Sequence, residues 1–570
     1  MKRIFSYLLT AAVLLCSFSA FSWSAMAAKP EIWDGKKATK FAGGSGTAED
    51  PWQISNGKEL ALMQYLFCNT VLKDWLPYNE IYGIDHFVLT NDIYLNDVSN
   101  FDSWGLKDKA PKNQWTKAIG RNGYALSGGV LDGQGHTIYG MYQVTDEFGG
   151  LISICNGGTV KNLNMDKCMV YASDGGILGG LSDETSSIVN CRISGKMIGY
   201  NTPGDHRFSV GGIVGDFDGG LIENCVFSGT VTAEREGCGG IAGRSGRGGN
   251  APLFVSTIRG CINYGAVSST NDAVGGIIGL ASVCSNSTRI ENCLNAGDIS
   301  GRAYVGGLVG SGGDCPVGKE GLFSYDVKEG RTPVTEIKNS LSIGKVTVKT
   351  DKTAGGLVGW SVKNITKVTN SYYDTDRFSG SVAGKNEAGL SGGGLPTAKL
   401  SGKGAVATMK LDGGIWQDVD GYYPVIKALY AKGWTVIGKL GGNDNPNSSG
   451  SATPAMPNTS GSHTSGTPNS SGNTSAGTPG NSTAGGDDTV TTPDASGEGD
   501  GQIVPPDTSD TDVVGIEDNG TAADGSGVDA RHGGLTWLWI VLGVAALGAG
   551  GVCIYLFVIR KKQQQKEEIQ

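Results

Sequence analysis

Apolar residues occupy every second position in a series of short runs through the middle of the chain. Gly229-Thr230-Val231-Thr232 and Gly344-Lys345-Val346-Thr347-Val348 are two of them. A period of two is the signature of a β-strand. Between about residues 130 and 380 no capped helical pattern is sustained, while β-branched residues and glycine turns recur. The elements predicted there are short strands joined at glycine-rich corners.

The runs are punctuated by a repeated phrase, a Gly-Gly pair followed by apolar residues and usually a closing Gly. It reads Gly149-Gly150-Leu151-Ile152, Gly175-Gly176-Ile177-Leu178-Gly179, Gly211-Gly212-Ile213-Val214-Gly215, Gly239-Gly240-Ile241-Ala242-Gly243, Gly275-Gly276-Ile277-Ile278-Gly279, Gly306-Gly307-Leu308-Val309-Gly310 and Gly355-Gly356-Leu357-Val358-Gly359. A second phrase interleaves with it: Asn190-Cys191, Asn224-Cys225, Gly260-Cys261, Asn292-Cys293 and Asn339-Ser340, each with a Gly four residues after the Cys or Ser. A recurrence of roughly 30 residues means stacked units. Insertions that leave the frame intact belong in surface loops. We expect a mainly β chain folded as a right-handed parallel β-helix, in which each strand hydrogen-bonds its counterpart about 4.8 Å away and aliphatic side chains share one interior. Glycine is expected to supply positive φ at the corners. Roughly seven coils give a rod on the order of 35 Å long at that spacing.

The motif Gly, Leu or Ile, an apolar residue, then Gly resembles the GLUG-motif repeat proteins. Residues Gly176 and Gly179, Gly212 and Gly215, Gly240 and Gly243, Gly276 and Gly279, Gly307 and Gly310, and Gly356 and Gly359 carry it, whereas Gly150 leads to Ser153. The flanks are similar to the family too: Asp50-Pro51-Trp52-Gln53-Ile54 leads in, Leu131-Asp132-Gly133-Gln134-Gly135 opens the repeats and Tyr422-Tyr423-Pro424-Val425-Ile426 closes them. The likeness covers roughly residues 43 to 430. It implies bacterial surface proteins, adhesin-like chains and the non-catalytic parts of some immunoglobulin A peptidases.

Segments 28–125 and 381–440 are expected to cap a repeat body at 126–380. In the first, Asn56 and Glu59 have capping-box spacing ahead of Leu60, Met63 and Phe67, which predicts a helix over about 57–69. Its aromatic residues suit either the closing of an open coil or a ligand site.

The ends of the chain carry other signals. Lys2 and Arg3 precede an apolar run ending at Ala25-Met26-Ala27, a secretory signal peptide over 1–27. Residues 441–533 are dominated by Ser, Thr, Gly, Asn, Pro and Asp, a composition expected to stay disordered as a stalk. Leu535 to Ile559 is 25 residues without a charge, with Trp537 and Trp539 at one edge and Arg560-Lys561-Lys562 at the other. That pattern predicts a transmembrane helix with a cytoplasmic tail at 560–570. The expected location is a cell membrane of a Gram-positive bacterium, single-pass, with the N-terminal region outside.

A net charge of −9 with no basic patch argues against nucleic acid as a partner. Arg244, Arg247 and Arg259 read as solvated loop charges. The five histidines are scattered, no His-Glu-x-x-His or phosphate loop occurs, and no cofactor, metal or catalytic set is expected. Ten cysteines lie between the two apolar ends. Cys191, Cys225, Cys261 and Cys293 share one repeat position with Ser340 and Ser371, so an interior ladder of reduced thiols is expected, disulfides between coils being the alternative. Asp216 and Asp218 share a strand face about 7 Å apart, a spacing that inverting glycoside hydrolysis also uses. Gly219-Gly220 makes a turn the simpler reading. The functional expectation is adhesion or binding of an extracellular ligand, a host matrix protein or a glycan. A polysaccharide lyase or hydrolase, or an envelope scaffold, is the alternative.

Overall fold

A computed structural model describes residues 30–69, 86–120, 125–126, 128–200, 209–246, 254–283, 286–313, 333–349 and 353–435. The signal peptide, stalk, membrane span and tail expected from the sequence lie outside these residues, as do Cys284, Cys315 and Arg247. Among the described residues no helix is long and apolar enough to cross a membrane.

The described chain is mainly β, in a repeat-like architecture of large parallel sheets. Ten strands, from Trp52–Ile54 and His86–Leu89 to Thr335–Lys338 and Thr366–Thr369, pair in sequence order in one sheet. Eight strands, from Cys155–Asn156 to Ala383–Asn386, form a second. A third set, including Asn164–Gly176, Arg192–Gly199 and Val226–Ala233, pairs in parallel through the same succession of repeats. Each full repeat thus contributes one segment to each set, and sequence neighbours become stacked rungs.

Inward residues of the ten-stranded sheet stand in one column. Phe87, Leu131, Val160, Ile188, Ile222, Ile258, Ile290 and Ile337 are in register from rung to rung, and all are buried. Identical register makes identical demands, which is why a branched aliphatic residue recurs. At roughly 25 cal/mol per Å² of apolar surface, such columns supply the main favourable term.

The glycines of the Gly-Gly phrase act differently from the expectation. Positive φ occurs at Gly150, Gly175 and Gly179 in the first copies, at 138°, 122° and 147°, but the later motif glycines avoid that region. They are required by close approach. A Cβ at Gly240 would collide with Gly276 O and the Asn263 side chain, one at Gly276 with Gly307 O and Asn295, and one at Gly356 with the Tyr373 ring. Gly243, Gly279, Gly310 and Gly359 press on backbone at Ser209–Val210, Gly237–Cys238, Ala273–Val274 and Tyr304. The left-handed corner falls instead on the residue before each cysteine or serine. Asn190, Asn224, Asn292, Asn339 and Asn370 have φ between 44° and 56°, and Gly260 takes 62° at the same place. Asn is the non-Gly residue that tolerates this conformation best.

The helix Gly57–Asn69 forms as its sequence predicts. Asn56 Oδ1 accepts from the amides of Lys58 and Glu59 at 2.9 and 3.2 Å, while Glu59 reaches back to the amide and hydroxyl of Ser55, one residue further out than a standard capping box. Leu60, Met63 and Phe67 enter the same buried cluster as the isoleucine columns. Trp52–Ile54 and His86–Leu89 belong to the ten-stranded sheet, so the stack continues through the segment assigned to a cap.

Ala383–Asn386 and Gly394–Leu395 add final rungs. Residues beyond them turn back along the flank. Leu400, Met409, Leu411, Trp416, Ile426 and Leu429 pack on Val226, Ile262, Leu294 and Leu341, which are stacked outward positions of successive rungs. Trp416 Nε1 donates to Asn292 Oδ1 at 3.3 Å, and Asp374 on the last rungs accepts from Thr397 Oγ1 at 2.6 Å and from Tyr423. The segment expected to close the end therefore covers a side.

Candidate functional site

The repeat cysteines form an interior column. The amide of Cys191 donates to Cys225 Sγ at 3.4 Å, that of Cys225 to Cys261 Sγ at 3.5 Å, that of Cys293 to Ser340 Oγ at 3.1 Å and that of Ser340 to Ser371 Oγ at 3.1 Å. Each side chain returns a bond to the carbonyl two residues earlier, as from Cys225 to Glu223 at 3.2 Å and from Ser340 to Lys338 at 2.9 Å. A hydroxyl and a thiol are interchangeable here because both donate and accept. Cys68, Cys155, Cys168, Cys191, Cys225, Cys238, Cys261 and Cys293 are free thiols, all but Cys68 buried. Burial pushes the Cys155 and Cys168 thiols up to about 12 and raises Cys191, Cys238 and Cys261. These residues hold rungs together.

Asp216 and Asp218 lie on the strand Val214–Asp218, and both are buried. Arg244, in register with Asp216 on the next rung, is also buried, with Nε 2.9 Å from Asp216 Oδ1 and Nη2 3.3 Å from Oδ2. Ser209 Oγ bridges Asp216 and Asp174, donating to the first and lying 3.1 Å from Asp174 Oδ1. Burial, then the Asp216 charge, pushes the Asp174 carboxyl up to about 8. The Asp216 charge holds the Arg244 guanidinium protonated against its desolvation. The reading of Arg244 as a solvated loop charge is thus corrected: it neutralises a buried acidic corner formed by strands of three rungs. Asp216 is locked to it and turned from solvent.

Arg259 is likewise a strand residue, its Nε 2.8 Å from Glu223 Oε1. Asp132 and Lys161 stand in register on one outward column, and beyond Val189 the same column alternates in sign through Glu223, Arg259, Glu291 and Lys338. The 3.4 Å pair of Asp132 with Lys161 starts it. Asp132 Oδ1 also accepts from the Gln134 amide at 2.9 Å, closing a turn.

The third set of strands presents an outward face that is covered at two places. Residues Phe101–Ser103 and Trp104 lie over Tyr142, Met169 and Ile198, and Lys196 Nζ rests 4.8 Å from the Phe101 ring centre. The C-terminal segment covers the rungs from Val226 onward. Between them Tyr94 and Tyr139 stack at 4.5 Å, followed in register by Asp166, with Arg192 alongside. Tyr94, Tyr139, Asp166 and Arg192 are partly exposed. Burial raises Tyr139 to about 12 and lowers Arg192, a shift that the Asp166 charge opposes. No hydrogen bond or ion pair with another described residue holds the head group of Arg192 or of Asp166. Sequence reading flagged the aromatic residues of segment 28–125 but not this grouping, since its members lie 26 to 45 residues apart along the chain.

No family model and no curated protein sequence matches the chain. A crystal structure described as that of a "putative immunoglobulin A1 protease" from Bacteroides ovatus is similar to it at 20% identity, with 70% of this chain and 96% of that chain covered and a TM-score of 0.40.

Proposed function

We propose that this is a bacterial surface protein, anchored in the membrane by residues 535–559, that displays a GLUG-type right-handed parallel β-helix on a flexible stalk and acts in adhesion or ligand binding. The observation that carries the reading is the order along one chain: a secretory signal, a stacked repeat body with aromatic rungs near its start, a Ser/Thr/Gly coil with no Lys or Arg from Gly441 to Ala530, then an apolar span with a basic flank. The stacked body supports it, because parallel rungs make a stiff unit that presents long flat faces.

The buried Asp216–Arg244 pair favours binding over polysaccharide cleavage, since an acid fixed to arginine and shielded from solvent is poorly disposed to protonate a glycosidic oxygen. Surface exposure is tested by protease shaving of intact cells: antibodies against residues 126–380 should lose their signal while a tag after Gln570 stays protected. Binding is tested with the purified full chain on immobilised matrix proteins and glycans. Polysaccharide turnover without retention would overturn the binding reading.

A further inference from the structure

The uncovered stretch between the two covering segments has a defined shape. Tyr94 and Tyr139 stack with ring planes 11° apart, so one face of Tyr139 is occupied by Tyr94. On the other side the column drops in size: Asp166 stands opposite Tyr139, and the outward positions of the next rungs are Ser194 and Ser228. A tall aromatic wall therefore ends in a step with a polar floor. Lys167, at φ 52°, makes the bulge that shifts register just after Asp166. Arg192 borders the step on one side, and its own column continues to Val226, where the C-terminal cover begins. On the other side stand Lys196, its Nζ on the carbonyls of Phe101 and Asp102 at 3.3 and 3.1 Å, and the turn that carries them.

We infer that Tyr139, Asp166 and Arg192 form a subsite for a carboxylate-bearing saccharide, with a pyranose ring against the open face of Tyr139. The inference rests on the binding reading above and names its ligand class. The C–H face of a sugar suits an aromatic wall. Arg192 presents a planar fork of donors matched to a carboxylate, and it has no such partner of its own among the described residues. Asp166 accepts from sugar hydroxyls. The same Asp166 disfavours a polyacidic peptide, which would bring like charge beside it without hydroxyl donors in return.

The test uses the full chain in detergent micelles and a panel of uronic-acid oligosaccharides, each paired with its carboxyl-reduced form, with polyglutamate as the peptide control. An acidic oligosaccharide should bind at least about tenfold more tightly than its reduced form, the scale of one charged hydrogen bond. R192Q and Y139A should each weaken it by about tenfold or more, D166N less, all three melting like the unaltered chain, and added salt should weaken binding. Glycan or matrix binding that R192Q and Y139A leave unchanged would overturn the subsite while leaving the surface-binding reading standing. Failure of the full chain to bind any saccharide or matrix protein would overturn both. Polyglutamate binding equal to the uronic acids would overturn the saccharide assignment.

Discussion

Asparagine at φ 44° to 56° turns the chain at the corner before each cysteine or serine, and Gly260 does the same work in one copy. Asn224→Gly should therefore be nearly neutral, whereas Asn224→Leu forces a branched side chain into the left-handed region at a cost of about 1–2 kcal/mol, read by chemical denaturation. The motif glycines behave oppositely. Gly276→Ala places a methyl against Gly307 O and Asn295, and a loss of about 2–3 kcal/mol or more is expected for backbone overpacking. At the cysteine column, Cys225→Ser should cost within about 1 kcal/mol, because Ser340 and Ser371 already make the same paired bonds. A thiol reagent applied to the native repeat body should label Cys68 well before the buried column, and the remainder only after denaturation.

Two acids, Asp174 buried and Glu236 half-buried, tie stability to pH. Asp174 is raised to about 8 by burial and Asp216, and Glu236 to about 7 by burial and Asp272 with Arg302 opposing. A carboxyl whose folded pKa exceeds its unfolded value keeps a proton that the unfolded chain has already released. Between the unfolded values near 4 and the folded values near 7 and 8 the native state binds more protons, so stability falls as pH rises through that window. The melting temperature should be higher at pH 5 than at pH 8, and Asp174→Asn should flatten the dependence. An unchanged pH profile in that variant would show that the Asp174 proton is not coupled to folding.

At the scale of elements, one apolar column and one covering segment bear most of the argument. Ile258 stands between Ile222 and Ile290 with no exposed surface, so Ile258→Ala removes contacts to both rungs and should cost about 2–5 kcal/mol. Trp416 is the largest fully buried side chain of the C-terminal cover and is tied to Asn292. Trp416→Ala should free the cover from the flank, seen as faster amide exchange in residues 397–434 and faster proteolysis there, while the rungs beneath keep their protection. This layer repeats nothing. It uses short helices at Thr397–Leu400, Ala405–Thr408 and Lys427–Ala431 to hide outward residues that a bare stack would leave wet.

For the whole molecule, the stack starts before the repeats and the flank is covered after them, so the repeat body is one part of a longer folded unit. Its parallel rungs are linked mainly to their neighbours, while the Phe101–Trp104 turn and the C-terminal cover each cross several. Unfolding of the body should consequently be most cooperative where a cover lies, over the rungs between residues 226 and 372 and over those that carry Tyr142, Met169 and Ile198. Hydrogen exchange across the rungs should show the strongest protection beneath the two covers.

The repeated positions were legible in the sequence, since stacked rungs in one register impose the same steric demand at every copy and the demand leaves the same residue behind. Hence the strand period, the Gly-Gly phrase, the cysteine–serine column and the helix at Gly57–Asn69 could all be read directly. The physical role of the motif glycines could not, because close approach and positive φ call for the same residue. Arg244 looked like a loop charge for a related reason: its partners Asp174 and Asp216 are distant along the chain and become neighbours only when three rungs stack. The grouping of Tyr139, Asp166 and Arg192 and the flank-hugging path of residues 397–434 arise the same way. Local pattern determined which residues form rungs; the register between rungs, a property of backbone hydrogen bonding across the stack, decided which unlike side chains meet.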